Sequence, residues 1–203
     1  MLVYGATDFT IAGNTVQHTL ADGIHLTNGS HHGRVIGNRV RDLGDDLISI
    51  VSYDDAPPVR DILVAGNQVS GARWGRGLTV VGGERLTLRD NTVSGIARGA
   101  GVLVAQEGNW HTHGVNDVRI EGNRLSEIQT PAARVGVSAP PTGHAAIEIH
   151  TYGVSGSASG IGDVMLSGNT VERSRYGDLG ARAGRLVGST PGAQLDCTRF
   201  STH

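Results

Sequence analysis

The chain alternates apolar and polar residues in short runs that each end at a corner signal. The pattern apolar-x-apolar-x-(Gly or Asp)-Asn-x-(Val or Leu) occurs six times, at Asn14, Asn38, Asn67, Asn91, Asn123 and Asn169. Such short alternation predicts β-strands rather than helices, because successive side chains of a strand point to opposite faces. The Gly or Asp before each Asn tolerates the left-handed backbone angles of a sharp corner. The chain is therefore predicted to be a series of strands with equivalent corners.

The corner asparagines recur with a base period. They are separated by 24, 29, 24, 32 and 46 residues, and a period near 24 with insertions is typical of solenoid proteins. A second apolar run follows each of the first four asparagines, and a fifth comes later: residues 23–27, 47–51, 77–81, 101–105 and 146–150. These repeats predict an all-β fold, a right-handed parallel β-helix of about six coils, with the asparagines stacked as a ladder. A β-sandwich would show frequent hairpin turns instead of the repeating Asn.

The composition favours one elongated domain. The chain has 203 residues, including 31 glycines, and only 4% are aromatic, which suits thin aliphatic layers with glycine at the corners. We expect residues 1–203 to form a single β-helix domain. Residues 106–143 are expected to be an insertion that walls a groove, and residues 177–203 a weak terminal coil or cap with a short strand at 185–188. The chain starts inside the first repeat, so we also expect an uncovered coil end that exposes apolar side chains and allows self-association.

Charge and hydropathy exclude several kinds of partner. The net charge is −2 and no block of Lys or Arg occurs, so we expect no nucleic-acid partner. No apolar run approaches the length of a membrane span, so no membrane partner is expected either. The first residues lack a basic segment followed by a long apolar segment, so no signal peptide is expected in this chain. The single cysteine, Cys197, excludes an internal disulfide.

Three carboxylates are predicted to meet on neighbouring coils. Asp22 and Asp46 are 24 residues apart, each precedes a second-type strand, and Asp45 adjoins Asp46. Carboxylates this close repel one another, so at least one should have a raised pKa. A protonated carboxyl beside an ionised one is the arrangement that general acid–base hydrolysis requires. The alternative is that these aspartates only form turns, which Asp-Gly and Asp-Asp pairs often do.

Residues near the predicted carboxylate cluster are candidates for substrate binding. Outward positions of successive second-type strands should form columns, and one insertion residue should stand over the groove. The candidates are His25, Ser49, Arg76, Trp110, Glu148 and His150.

The segment that carries the carboxylates resembles a known family. DGIH at residues 22–25 and GDD at 44–46, followed by ISIVS, are similar to motifs of the polygalacturonases, the pectinase family of glycoside hydrolases. The resemblance implies a right-handed parallel β-helix that hydrolyses a polysaccharide with inversion, without a metal or other cofactor. It further implies Asp45 as the general acid and Asp22 and Asp46 as the acids that activate water. A secreted or cell-surface location is also implied.

Two departures from the family motifs bear on the substrate. Arg76 occupies the position of the family's histidine, and Leu103 and Ala105 replace the Arg and Lys that would bind a uronate. A neutral or differently charged sugar is therefore expected.

Two alternative functions stay open. One is a polysaccharide lyase or uronate C5-epimerase, for which Ca²⁺ would be a cofactor of the lyase. The other is a non-catalytic carbohydrate-binding or adhesin-like solenoid, as a fragment of a longer protein.

Overall fold

The computed structural model describes residues 1–153 and 160–182, and their short strands form three parallel sheets. Sheet A contains, in spatial order, β1 (Leu2–Tyr4), β4 (Ile24–Thr27), β7 (Ile48–Val51), β10 (Leu78–Val81), β13 (Val102–Glu107), β16 (Ile147–Tyr152) and β19 (Leu179–Arg182). Sheet B contains β2 (Thr10–Ala12), β5 (His31–Ile36), β8 (Arg60–Ala65), β11 (Gly83–Arg89), β14 (Val115–Glu121) and β17 (Val164–Ser167). Sheet C contains β3 (Thr15–Gln17), β6 (Arg39–Leu43), β9 (Gln68–Ala72), β12 (Thr92–Ile96), β15 (Arg124–Ile128) and β18 (Thr170–Ser174).

The chain visits the three sheets in a fixed order, A then B then C, and each visit adds one parallel strand next to the previous coil. This path confirms the predicted parallel β-helix. The sequence patterns predicted two strands per coil, whereas the structure has three. The strand of sheet C begins directly after each corner Asn and contains few inward residues, such as Val40 and Leu43 in β6. Its alternation is too short to be distinguished from the corner that precedes it.

The core is a stack of aliphatic side chains inside the coil. In sheet A the inward residues Ile24, Ile48, Leu78, Val102 and Ile147 are paired in register from strand to strand and are almost fully buried. Each coil therefore covers the apolar layer of the coil before it at the strand spacing of about 4.8 Å.

The predicted asparagine ladder is present at the corner between sheets B and C. The backbone N–H and the side-chain amide of Asn38 both donate to Oδ1 of Asn67, at 2.9 and 3.0 Å. The Asn67 amide in turn donates to Oδ1 of Asn91 at 2.9 Å and to the carbonyl oxygen of Val35 at 2.9 Å. The same pattern joins all six asparagines. Five of the six preceding residues are glycines with positive φ, such as Gly66 at 63°.

The predicted insertion at residues 106–143 consists of two excursions separated by regular structure. Strands β14 and β15 belong to sheets B and C like those of any other coil. The first excursion contains the short 3-10 helix η1 (Gly108–Trp110), and the second follows β15 and leads to β16. Part of the outer face of sheet A is buried, where Val51, Val81 and Leu103 form a second apolar cluster. Outward positions of this sheet are therefore not all exposed to solvent.

The described part of the coil begins with β1 and ends with β19. In β1 the outward side chains of Leu2 and Tyr4 are each 66% exposed, and an uncovered coil end that allows self-association stays a prediction. The predicted terminal coil at 177–203 begins with β19, and the strand expected at 185–188 lies outside the described residues. No helix in the described part of the chain is long and apolar enough to cross a membrane.

Candidate active site

The three predicted carboxylates lie together where successive coils enter sheet A. The N–H of Gly23 donates to the carbonyl of Asp46 at 3.0 Å, and the N–H of Leu47 donates to the carbonyl of Arg76 at 3.0 Å. Residues 22, 46 and 76 therefore occupy the same position on consecutive coils. The spacing of 24 residues between the first two aspartates is one complete coil.

A glycine on the next coil permits the close packing of the acid pair. A Cβ atom on Gly75 would lie 2.4 Å from the backbone nitrogen of Asp46 and 2.5 Å from Oδ1 of Asp45. Real Cβ atoms do not approach other heavy atoms so closely, so any larger residue would displace the backbone that carries both carboxylates. The Gly75–Arg76–Gly77 segment thus fixes the position of Asp45 and Asp46 as well as its own arginine.

Asp22 is held as an ionised carboxylate. Burial alone would raise its pKa, but hydrogen bonds from His25 and Ser49 and the electrostatic effect of His25 bring the pKa below the usual value. The atom Nδ1 of His25 lies 2.6 Å from Oδ2 of Asp22. The hydroxyl of Ser49 donates to the same oxygen at 2.6 Å.

The pKa values of Asp45 and Asp46 are shifted upward, opposite to that of Asp22. Burial, together with the negative charges of Asp46 and Asp22, raises the pKa of Asp45. Burial also raises the pKa of Asp46, although the charge of Arg76 opposes this effect. The N–H of Arg76 donates to Oδ1 of Asp46 at 2.7 Å, and Nη1 of Arg76 lies 3.4 Å from Oδ2. The site therefore combines one carboxylate that ionises readily with two that retain a proton to higher pH.

Arg76 joins the carboxylates to a fourth acid. Its Nη2 donates to Oε1 of Glu107 at 3.0 Å. Burial tends to lower the pKa of Arg76, but the charges of Asp46 and Glu107 raise it overall, so the guanidinium stays protonated. Glu107 was not predicted from the sequence, because it belongs to neither the Asp motif nor the columns of the second-type strands.

The carboxylates lie in an open groove of about 440 Å³. Trp74 and Trp110 line the groove with exposed rings, 61% and 66% accessible to solvent. The guanidinium of Arg98 lies 3.9 Å from the centre of the Trp74 ring. Trp110 is carried by η1, so this residue of the first excursion lines the groove. Trp74 was missed, although an exposed aromatic residue beside a Gly-Arg-Gly segment could have signalled it.

The six candidate binding residues separate into three groups. Three of them, His25, Arg76 and Trp110, line the groove. Ser49 is fully buried beneath Asp22. The remaining two, Glu148 and His150, are not among the groove-lining residues.

Glu148 and His150 belong to a separate buried cluster. Glu148 is fully buried, and it accepts a hydrogen bond from the N–H of Ala145 at 2.9 Å. His150 lies 3.4 Å from Glu148 and stacks on Tyr152 with ring centres 3.8 Å apart. The hydroxyl of Tyr152 lies 2.8 Å from Nε2 of His144. Burial lowers the pKa of His144 to about 4, so this imidazole is neutral near pH 7.

The carboxylate cluster also has the composition of a cation site. Asp22, Asp45 and Asp46 can each offer one oxygen, and these oxygens lie within 4.8 Å of one another. Carboxylate oxygens are the ligands that Ca²⁺ prefers, so a lyase that used this ion could hold it here. The guanidinium of Arg76 already occupies one side of Asp46, which reduces the negative charge available to an ion.

The fold and the groove define a right-handed parallel β-helix with an acidic cleft, and comparison with known proteins supports this class. The family model described as "Right handed beta helix region" matches residues 1–187. The chain belongs to this family. No curated protein sequence is significantly similar to the chain.

Solved structures with the same fold include catalytic domains of GH87 α-1,3-glucanase. One, a variant in complex with tetrasaccharides, has a TM-score of 0.61 and 18% identity over 85% of this chain. Another, in complex with nigerose, has a TM-score of 0.58 and 18% identity over 89% of this chain. The chain spans about one third, 34%, of the length of those catalytic domains. At this level of identity the likeness concerns the fold.

Proposed function

We propose that this chain hydrolyses glycosidic bonds of a polysaccharide by general acid–base catalysis. Asp45 is the general acid that protonates the departing sugar oxygen, and Asp22 and Asp46 are the acids that activate water. The observation that carries this proposal is the meeting of three carboxylates on the groove floor, with oxygens within 4.8 Å of one another. Hydrogen bonds from His25 and Ser49 bring the pKa of Asp22 below its usual value despite burial, whereas burial raises the pKa of Asp45. Hydrolysis requires a proton donor and a proton acceptor at the same pH, and these environments supply both.

The structural neighbours support the same reaction class. They are glucanase catalytic domains, and two of the structures are single aspartate-to-alanine variants at adjacent positions, in complex with tetrasaccharides. The present chain also carries two adjacent aspartates, Asp45 and Asp46, in its groove. The exposed rings of Trp74 and Trp110 offer flat apolar surfaces of the kind on which sugar rings stack.

The charges of the groove favour a neutral sugar. Four acids line it, Asp22, Asp45, Asp46 and Glu107. Arg76 is already engaged by two of them. The other arginine of the groove, Arg98, stacks on Trp74 and donates to the carbonyl of Pro140. A polyuronate would bring further negative charge beside the four acids. We therefore propose a neutral polysaccharide as the substrate and, from the family resemblance, a secreted or cell-surface location.

A lyase or epimerase is the second enzymatic candidate, supported by the close carboxylate oxygens. Such an enzyme needs a base to abstract a proton from the sugar. Arg76 is held protonated by Asp46 and Glu107, so it is unsuited to that role. This argument counts against a lyase that uses an arginine base. A non-catalytic binder remains the third candidate, for which the acids would serve only as turn residues.

One polysaccharide panel separates these functions. The chain is incubated with neutral α- and β-glucans, polygalacturonate and alginate, with and without EDTA. New reducing ends without unsaturated products are expected on a neutral glucan. Unsaturated products that disappear with EDTA would instead establish a calcium-dependent lyase, and an altered uronate configuration seen by proton NMR without chain cleavage would establish an epimerase. Binding without any of these changes would establish a carbohydrate-binding module. Proton NMR of the first sugar product then tests the inversion that the resemblance implies, because an inverting enzyme releases the anomer opposite to that of the cleaved bond.

A further inference from the structure

Asp22 receives more hydrogen bonds than a residue that only forms a turn would require. Its Oδ2 lies 2.6 Å from both Nδ1 of His25 and Oγ of Ser49. These two donor atoms are themselves 2.8 Å apart. Its Oδ1 accepts a hydrogen bond from the backbone N–H of Asp46 at 3.2 Å. Since an ionised carboxylate only accepts hydrogen bonds, this geometry is satisfied when the imidazole N–H and the hydroxyl both point at Asp22.

The two side-chain donors are fixed by the fold. His25 in β4 and Ser49 in β7 are directly paired in the parallel ladder of sheet A. Ser49 is fully buried, so its hydroxyl cannot turn to solvent. The arrangement therefore arises from two consecutive coils, with the Asp22–His25 contact supplied by one coil and Ser49 supplied by the next.

The neighbours of Asp22 make such donors necessary. Asp45 and Asp46 bring negative charge within a few ångströms, and burial also disfavours the charged form. Tyr53 faces the same carboxylate, whose charge helps to raise the pKa of the phenol. Arg76 directs its guanidinium to Asp46 and Glu107. Without His25 and Ser49, Asp22 would compete with its neighbours for a proton.

We propose that His25 and Ser49 are positioning residues that keep the Asp22 carboxylate ionised and fixed in the groove, which makes Asp22 the general base. Of the two acids proposed to activate water, Asp46 then has the smaller part, because both of its oxygens are directed to Arg76. The role of Asp22 as the general base rests on the proposed hydrolytic function. The hydrogen-bonding role itself does not depend on the substrate.

A matched pair of substitutions at Ser49 tests the proposal. Ser49→Thr keeps the hydroxyl, and Ser49→Val has nearly the same shape without it, so packing effects are common to both. Asp22 requires deprotonation to act as a base, so loss of a donor should move the acidic limb of the kcat/KM profile to higher pH. Below that limb, Ser49→Val should be roughly tenfold less active than Ser49→Thr, the size expected for one hydrogen bond to a charged group.

Carbon-13 NMR of the aspartate carboxyl groups provides a readout that needs no substrate. The Asp22 carboxyl should titrate at higher pH in Ser49→Val than in Ser49→Thr, whereas the same pair of changes at Ser70 in sheet C should not move it. Equal titration in the two Ser49 variants would overturn the proposal, whatever the polysaccharide assays show. A shifted titration in a protein that cleaves no polysaccharide would retain the positioning role and remove the hydrolytic function. If Ser49→Val does not fold, His25→Leu at the groove surface makes the same NMR test against the parent protein.

Discussion

Replacing a central member of the asparagine ladder should be far more costly than the same change at the surface. Asn67→Leu removes the oxygen that accepts from the N–H and the side-chain amide of Asn38, and the amide that donates to the carbonyl of Val35. Asn67 is 1% exposed, so water cannot replace these partners without opening the coil. The leucine side chain also has a different shape from the planar amide that fits between the adjacent corners.

The magnitude follows from the groups left without partners. Four buried polar groups lose a hydrogen bond: the N–H and the side-chain amide of Asn38, the carbonyl of Val35 and Oδ1 of Asn91. The side-chain amide of Asn38 keeps its second bond, to Ile11. Asn91 also keeps one donor, the backbone N–H of Asn67. Each unsatisfied buried group costs about 1–3 kcal/mol, so the other two groups give an expected loss of at least about 2 kcal/mol in the free energy of unfolding.

Equilibrium unfolding in urea, followed by circular dichroism, measures this difference. Asn116→Leu is the matched control, since Asn116 is exposed on β14 and a surface change there should alter stability by no more than about 0.5 kcal/mol. Asn14→Leu should fall between the two, because Asn14 is only partly buried. Equal stability of the Asn67 and Asn116 variants would show that the ladder does not stabilise the coil.

Three further predictions concern the groove and the buried histidine. Gly75→Ala should sharply lower kcat in steady-state assays, because the added Cβ would clash with the backbone of Asp45 and Asp46. The circular dichroism spectrum should stay unchanged, and full activity would contradict this packing. Trp110→Ala should raise KM more than it lowers kcat, since the ring is placed to stack on sugar but not to transfer protons, and an equal effect of Arg39→Ala on sheet C would contradict this. Burial lowers the pKa of His144 from its ordinary value of 6.5 to about 4. As the pH falls, the imidazole therefore takes up a proton in the unfolded chain before it does so in the folded protein. Stability should therefore decrease from about pH 6.5 towards pH 4, by up to roughly 3 kcal/mol, and His144→Phe should flatten this dependence in urea titrations.

The sequence predicts the fold well because the corner chemistry is local. A Gly-Asn pair after an alternating run needs left-handed backbone angles at the glycine, and the repeat of that pair sets the length of the coil. Gly37 and Gly66 take such angles, and Asn38 and Asn67 stack. The third strand of each coil was missed because a run as short as Thr15–Gln17 has too few residues to show a period of its own.

The site was predicted only as far as the repeat could align it. Counting 24 residues from Asp22 reaches Asp46, and the same register brings His25 beside Ser49. Burial of the outer face of sheet A could not be predicted, because it depends on excursions that fold back over the strands. Ser49 and Glu148 were therefore taken for groove residues although both are fully buried. Glu107 was missed because it reaches the groove through its place in the coil, outside any recognisable motif. Trp74 was missed although it directly precedes the Gly75–Arg76–Gly77 segment.

The most direct test of the central claim compares Asp45→Asn with the parent protein on the polysaccharide that the parent cleaves best. Asparagine has nearly the shape of aspartate but cannot donate the proton, so turnover should fall by at least the roughly hundredfold that a general acid contributes. Binding of an oligosaccharide, measured by isothermal titration calorimetry, should change little. Loss of turnover with retained binding is the result that the account predicts. Full turnover by Asp45→Asn would contradict it and show that the carboxylate cluster is not the catalytic site.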